Sequence, residues 1–236
     1  LPAPAGGGAY SINHGLWGTT IGGKETLDSR EPLPESAWVV TAGAFDEPRA
    51  SERHRIGFER GVPVALDGEP LDPVALIERL EVLAGAFGIG RGIHLGETIL
   101  GSKGRVAFEA PAAETLLTAH RELEKLTLTG MQQKIKEPLA LTYGDLVHEG
   151  QHMEPAARDI EALLASSQAR VTGEVHLLFR PGVLFVEGTT SPHSLLAATK
   201  GKYGESAGEW SAADALGLAR MKALAGMLHT RAGSGT

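Results

Sequence analysis

The sequence predicts an α+β domain, with a mostly antiparallel sheet packed with helices and an extended C-terminal helix. Three observations carry this. Segments with two-residue alternation are joined by tight-turn signals, which makes hairpins and therefore antiparallel pairs. The helical patterns do not alternate with single strands, as they would in a doubly wound parallel fold. The chain closes on a capped apolar pattern of helical period from Ser211 onward.

The elements follow in order. "HRIGFERGVPVALDG" reads as two strands joined by a tight turn near Arg60-Gly61. Asp72-Pro73 starts a helix, with Asp as N-cap and Pro in the first turn. Val74, Ile77, Leu80 and Ala84 recur at helical spacing, and Gly85 or Gly88 closes the element. "AAETLLTAHRELEKLTL" is a helix with Leu116, Leu117, His120, Leu123 and Leu126 on one face, where His120 is expected to be hydrogen-bonded near the core edge. A second helix is expected from Gln132 to His148, bent or restarted near Pro138. A third begins at Glu154-Pro155 and carries Ile160, Leu163 and Leu164. "RVTGEVHLLFRPGVLFVEGTTS" runs through Val171, Val175, Leu177 and Phe179, turns at Pro181-Gly182 and returns through Leu184 and Val186. In the last helix Ser211 and Asp214 form a capping box. Leu218, Met221, Leu224 and Leu228 then make an apolar stripe, which packs on its own core or on another subunit; periodicity leaves both open.

Two stretches are rich in glycine. "SINHGLWGTTIGGKETL" is expected as a loop with special backbone geometry, a common home for ligand contacts. "GIGRGIHLGETILGSKGRVAFEAP" reads as short strands and turns. Gly90, Arg91, Gly92, Lys103 and Arg105 are candidates for an anion nest there, against the plainer reading of glycine-permitted turns in a small sheet. Neither dinucleotide-binding nor P-loop glycine spacing occurs.

Composition narrows the classes. The 236 residues carry a net charge of −7 and only 5% aromatics, with no basic stripe, which argues against nucleic-acid binding. Cysteine is absent, so there is no disulfide framework and no thiol nucleophile. No apolar run reaches the roughly 20 residues of a membrane span. "LPAPAGGGAY" has the composition of a linker and lacks the features of a signal peptide. Three regions are expected: an interdomain linker over residues 1–10 with further sequence upstream, a domain over 11–205, and a C-terminal helix and tail over 206–236, to which the resemblance described below assigns oligomerisation.

"LVHEGQHMEP" contains His148, Glu149 and His152 in the H-E-x-x-H pattern of zinc hydrolases. That chemistry needs one helix through both histidines, yet Gly150 lies between them and Pro155 follows closely. No third ligand stands at a standard spacing. A helix C-terminus with two solvated histidines is expected instead, and no metal site is assigned.

"AYSINHGLWGTTIGG" resembles the "YSIDENLWGRSIEGG" loop of the argininosuccinate synthase family, at the start of its C-terminal synthetase and multimerisation domain. The resemblance continues in order through "GFERGVPVALDGEPLDPVALIERL", "EAPAAETLLTAHRELEKLTL", "YGDLVHEGQHMEP", "SSQARVTGEVHLLFRPG" and "SPHSL", with features of a bacterial subgroup. It implies a cytoplasmic ligase of arginine biosynthesis that joins citrulline to aspartate with ATP, Mg2+ accompanying the nucleotide. Its partners would be an N-terminal ATP pyrophosphatase domain and further copies in a homotetramer, with no nucleic acid and no membrane. That domain's S-G-G-x-D-[ST] loop is absent from this sequence, so the chain is expected not to turn over alone.

The resemblance also implies citrulline contacts; it identifies no catalytic side chain. The family's two serines fall at Ser11 and Thr20. Its glutamate falls at Gly96, with Glu97 adjacent as a substitute, and its tyrosine falls at Phe108. A non-catalytic oligomerisation module derived from the enzyme is the alternative, favoured by the departures at Gly96 and Phe108.

Overall fold

A computed structural model describes residues 9–199 and 208–233. The linker expected over residues 1–10 falls largely outside the described residues, as does the boundary expected at 205/206. The chain divides into two compact units, after His193.

The first unit holds two antiparallel sheets. Its strands are β1 (Ser11–Gly15), β2 (Gly18–Gly22), β3 (Glu52–Glu59), β4 (Val62–Leu66), β5 (Glu69–Pro70), β6 (Arg91–Glu97), β7 (Lys103–Glu109), β8 (Gly173–Arg180) and β9 (Val183–Thr190). Its helices are α1 (Pro73–Gly85), α2 (Pro111–Thr127), α3 (Gly130–His148) and α4 (Pro155–Ser167). One sheet has the order β5-β4-β3-β8-β9 and the other β1-β2-β7-β6. The α+β class with antiparallel pairing is as the sequence predicted.

The five-stranded sheet makes the core. Alternate residues of β3 and β8 point inward: Ile56 and Phe58, then Val175, Leu177 and Phe179. Helices α1 and α2 cover that face with Leu76, Leu80, Ala84, Leu116, Ala119 and Leu123. Each of these leucines contributes about 1.5–3 kcal/mol by leaving water. The Phe87 and Phe179 rings meet edge-on, with centroids 5.8 Å apart. The opposite face is laced by Arg53–Glu187 and Arg55–Glu174 ion pairs. Expected local signals also hold. The Asp72 carboxylate accepts from Val74 and Ala75 N–H at 3.1 and 3.2 Å and caps α1. The β3–β4 turn places Arg60 and Gly61 at φ 50° and 81°, as a two-residue hairpin turn requires. Thr172 Oγ1 accepts from Arg60 N–H and holds the non-glycine residue in that conformation.

Several expectations are corrected. The stretch expected as a loop is the β1–β2 hairpin, built on backbone pairing and one apolar cross-strand pair, Ile12 and Ile21. The helix around Pro138 is continuous from Gly130 to His148. It begins at a capping box between Thr129 and Gln132 and buries no residue, so water can satisfy the carbonyl that Pro138 leaves without a donor. On α1, Val74 lies outside the buried face and Leu76 takes its place. On α2, Leu117 is exposed while Ala112, Thr115 and Ala119 are buried. Small residues face the sheet there because α1 packs close on that side.

The second unit contains α5 (Leu195–Ala198) and α6 (Ala212–Gly233). Asp214 N–H donates to Ser211 Oγ at 3.3 Å, and Ser211 N–H donates to Asp214 Oδ2 at 2.8 Å, forming the expected capping box. Leu218, Met221, Leu224 and Leu228 are all exposed, as is every other residue of α6.

No helix among the described residues is long and apolar enough to cross a membrane.

Candidate functional site

The four-stranded sheet has two unlike faces. Register assigns residues to them, because directly paired residues of an antiparallel ladder share a side. The underside bears Thr19, Ile21, Ala107 and Glu109, all buried. The open side bears a registered row across all four strands: Asn13, Thr20, Phe108 and Gly92. Ser11 lies beside that row, opposite Gly22, and His94 lies on the same side, opposite Val106.

The underside grips the segment between β2 and β3. Glu109 is fully buried, and its carboxylate accepts from Val39, Val40 and Thr41 N–H and from Thr41 Oγ1, at 2.5–3.0 Å. The Arg91 guanidinium donates to the Thr41 carbonyl, Thr41 Oγ1 and Glu35, and stacks on Trp38 and Phe45. Arg105 donates to the carbonyls of Glu25, Asp28 and Glu31. Lys103 pairs with Glu97 at 2.8 Å. The anion nest expected from Arg91, Lys103 and Arg105 is therefore not formed. All three cations are engaged by carboxylates or carbonyl oxygens of the chain itself.

The expected citrulline contacts divide by face. Ser11, Thr20, Gly96 and Phe108 share the open side. Ser11 and Thr20 are diagonal neighbours on adjacent strands, roughly 7–8 Å apart. Both hydroxyls are exposed. Glu97 sits on the opposite side, in its pair with Lys103. The tip of the Phe108 ring reaches over Gly92, where an added Cβ would come 2.3 Å from Cζ. A cavity of about 420 Å³ opens beside Phe108, bordered by Gly90, Glu114, Thr118 and Leu184. Tyr10, adjacent to Ser11, donates its O–H to Glu25 at 2.5 Å. That hydrogen bond pushes the phenol up to about 12 and ties down the start of β1. Asn13 and His94 are polar members of this side that the sequence did not single out. Their signal was the period-two spacing of Gly92, His94 and Gly96, which places one imidazole between two bare positions.

Two other regions compete for attention. A wider cavity of about 750 Å³ is lined by Arg60, His120, Lys136 and Gln168. His120, Lys136 and Gln168 belong to one network with Glu124. His120 Nε2 lies 2.9 Å from Gln168 Oε1, Gln168 donates to Glu124 at 2.7 Å, and Lys136 donates to Glu124 at 3.0 Å. Burial holds the His120 pKa below its ordinary value. This network fastens α3 and the turn after α4 to α2, and His120 is the hydrogen-bonded core-edge residue expected. The H-E-x-x-H stretch is not one helix. α3 ends at His148, Glu149 caps it and Gly150 has φ 73°, so His152 lies beyond the helix. No group of three metal-ligating side chains converges among the described residues.

Comparison with known proteins adds the family. The family described as arginosuccinate synthase C-terminal domain matches residues 10–229. Argininosuccinate synthase from Xanthomonas axonopodis pv. citri strain 306 is 38% identical over 225 residues, covering 94% of this chain and 53% of that protein. The synthase from Symbiobacterium thermophilum is 39% identical over 196 residues, covering 83% of this chain and 49% of that protein. The one from Methanothermobacter thermautotrophicus is 41% identical over 186 residues, covering 79% and 47%. The chain spans about half the length of the curated relatives it matches. It belongs to the family of argininosuccinate synthase C-terminal domains.

Proposed function

We propose that this chain supplies the citrulline side of an argininosuccinate synthase active site. The observation that carries this is the family match over residues 10–229. The open side of the four-stranded sheet supports it, with exposed hydroxyls at Ser11 and Thr20 around the Phe108 ring. These groups bind and orient the amino-acid end of citrulline through donated hydrogen bonds. ATP and its Mg2+ belong to a partner nucleotide-binding half, as the family resemblance implies, and Arg91, Lys103 and Arg105 are engaged by groups of this chain itself. In the complete enzyme the ureido oxygen of citrulline is adenylated with loss of diphosphate. The aspartate amine then forms the new C–N bond as AMP leaves. The contribution of this chain is positioning, which converts a bimolecular encounter into an aligned one. The working form would be a cytoplasmic homotetramer, with the exposed α6 stripe as its contact surface.

The test combines this chain with a nucleotide-binding half and measures AMP released with citrulline and aspartate. Turnover is expected, and Thr20→Val and Ser11→Ala should each raise the citrulline KM about tenfold, the effect of one lost hydrogen bond. Stability should change by less than about 0.5 kcal/mol, because both residues are exposed. Associated, folded halves that release no AMP would favour a purely structural module instead.

A further inference from the structure

Gly96 and His94 form one unit. The strand places both on the open side, two residues apart. An added Cβ at Gly96 would lie 2.3 Å from His94 Nε2, so the imidazole rests across the space that any other residue 96 would fill. His94 is exposed, and no side chain or backbone group among the described residues hydrogen-bonds or pairs with it. It is also the one ionisable side chain on this side of the four strands. The neighbouring acids Glu97 and Glu109 and the cations Arg91, Lys103 and Arg105 all alternate onto the other face.

On this side the four strands themselves present an imidazole, two hydroxyls and the Asn13 amide around an aromatic ring, while Glu114 of α2 borders the cavity beside Phe108. The strand residues form a set that donates hydrogen bonds to an anion. Thr20 and His94 stand two strands apart, roughly 10 Å at ordinary strand spacing. A ligand of citrulline's length lying over Phe108 reaches both.

Resting on the function proposed above, we infer that His94, seated by Gly96, is a specificity-determining residue that binds the carboxylate of the amino-acid substrate. The bare backbone at residue 96 and the imidazole at residue 94 act together. A side chain at 96 would displace the ring that makes the contact.

The experiment uses the complete enzyme, this chain with its nucleotide-binding half, and reads AMP release. His94→Ala should raise the citrulline KM about tenfold while the aspartate and ATP KM values and kcat stay near wild type. Gly96→Ala should do the same, and His94→Gln should restore part of the loss by supplying a neutral donor. Citrullinamide, which lacks the carboxylate, should be used equally poorly by wild type and His94→Ala. Urea midpoints check that the variants are folded, as expected for an exposed side chain. An unchanged citrulline KM in His94→Ala overturns the assignment, as does an equal further loss with citrullinamide. A wild-type enzyme that releases no AMP brings down the ligase reading and this inference with it, whereas normal turnover with an indifferent His94→Ala brings down this inference alone.

Discussion

The two sheets of the first unit are held by different forces. The five-stranded sheet is held by apolar burial: Ile56, Leu66, Val175, Leu177 and Phe179 are all fully buried against α1 and α2. The four-stranded sheet has little such surface. Ile21 and Ala107 are its fully buried apolar members, and its underside is fastened by Glu109, Arg91 and Arg105. The difference shows how a glycine-rich sheet can leave one side bare. If the polar grip below is complete, the upper side is free of any packing duty.

The sharpest way to break this contrast is to cut the grip. Glu109→Ala removes the acceptor of three N–H groups and of the buried Thr41 hydroxyl, and should cost about 4 kcal/mol in urea unfolding. A cost under about 1 kcal/mol would mean that the segment 24–46 is held some other way. Next in size, Leu177→Ala opens a hole in the larger core and should cost about 3 kcal/mol by the same measurement. It should leave the open side intact, so citrulline KM in the complete enzyme should hold while the midpoint falls.

The smallest effect concerns Glu81, on α1 beside a cavity of about 370 Å³ that His14 and Leu16 also line. One carboxylate oxygen accepts from Ala112 N–H at 3.0 Å and the other is buried with no partner. Burial raises its pKa. The folded state thus holds the proton more tightly than the unfolded chain. The resulting stability is complete below the ordinary carboxylate range and is lost as pH rises through the folded value. Glu81→Gln removes that loss. The variant should match wild type near about pH 4 and exceed it by a margin that grows toward about pH 7. A constant offset between the two urea-midpoint curves would show that folding leaves the Glu81 pKa unshifted.

The larger sheet was legible because its residues obey period two. Val175, Leu177 and Phe179 recur at every second position, and the turn at Arg60-Gly61 is written in its residue types. The β1–β2 hairpin was not legible, since Ser11–Gly22 contains one apolar cross-strand pair and much glycine. Its stability lies in backbone pairing and in side chains from a distant strand. Arg91 and Arg105 beside glycines have the local look of an anion site. What they bind instead is the carbonyls of residues 25, 28, 31 and 41, in a segment with no pattern to announce it. Ser11, Thr20 and Phe108 enter the proposed site through family resemblance, which supplies positions that periodicity cannot. His94 escaped both routes, because the case for it rests on the missing side chain at Gly96.

The alternation along β6 and β7 has a practical consequence for engineering. Arg91, Arg105, Ala107 and Glu109 anchor the sheet from below, while residues 92, 94, 96, 106 and 108 alternate onto the other side. A mutant library confined to positions 92, 94, 96, 106 and 108 would thus sample new ligand preferences with the anchoring contacts untouched. Selectivity and foldedness are written on interleaved letters of the same two strands, and can be edited one without the other.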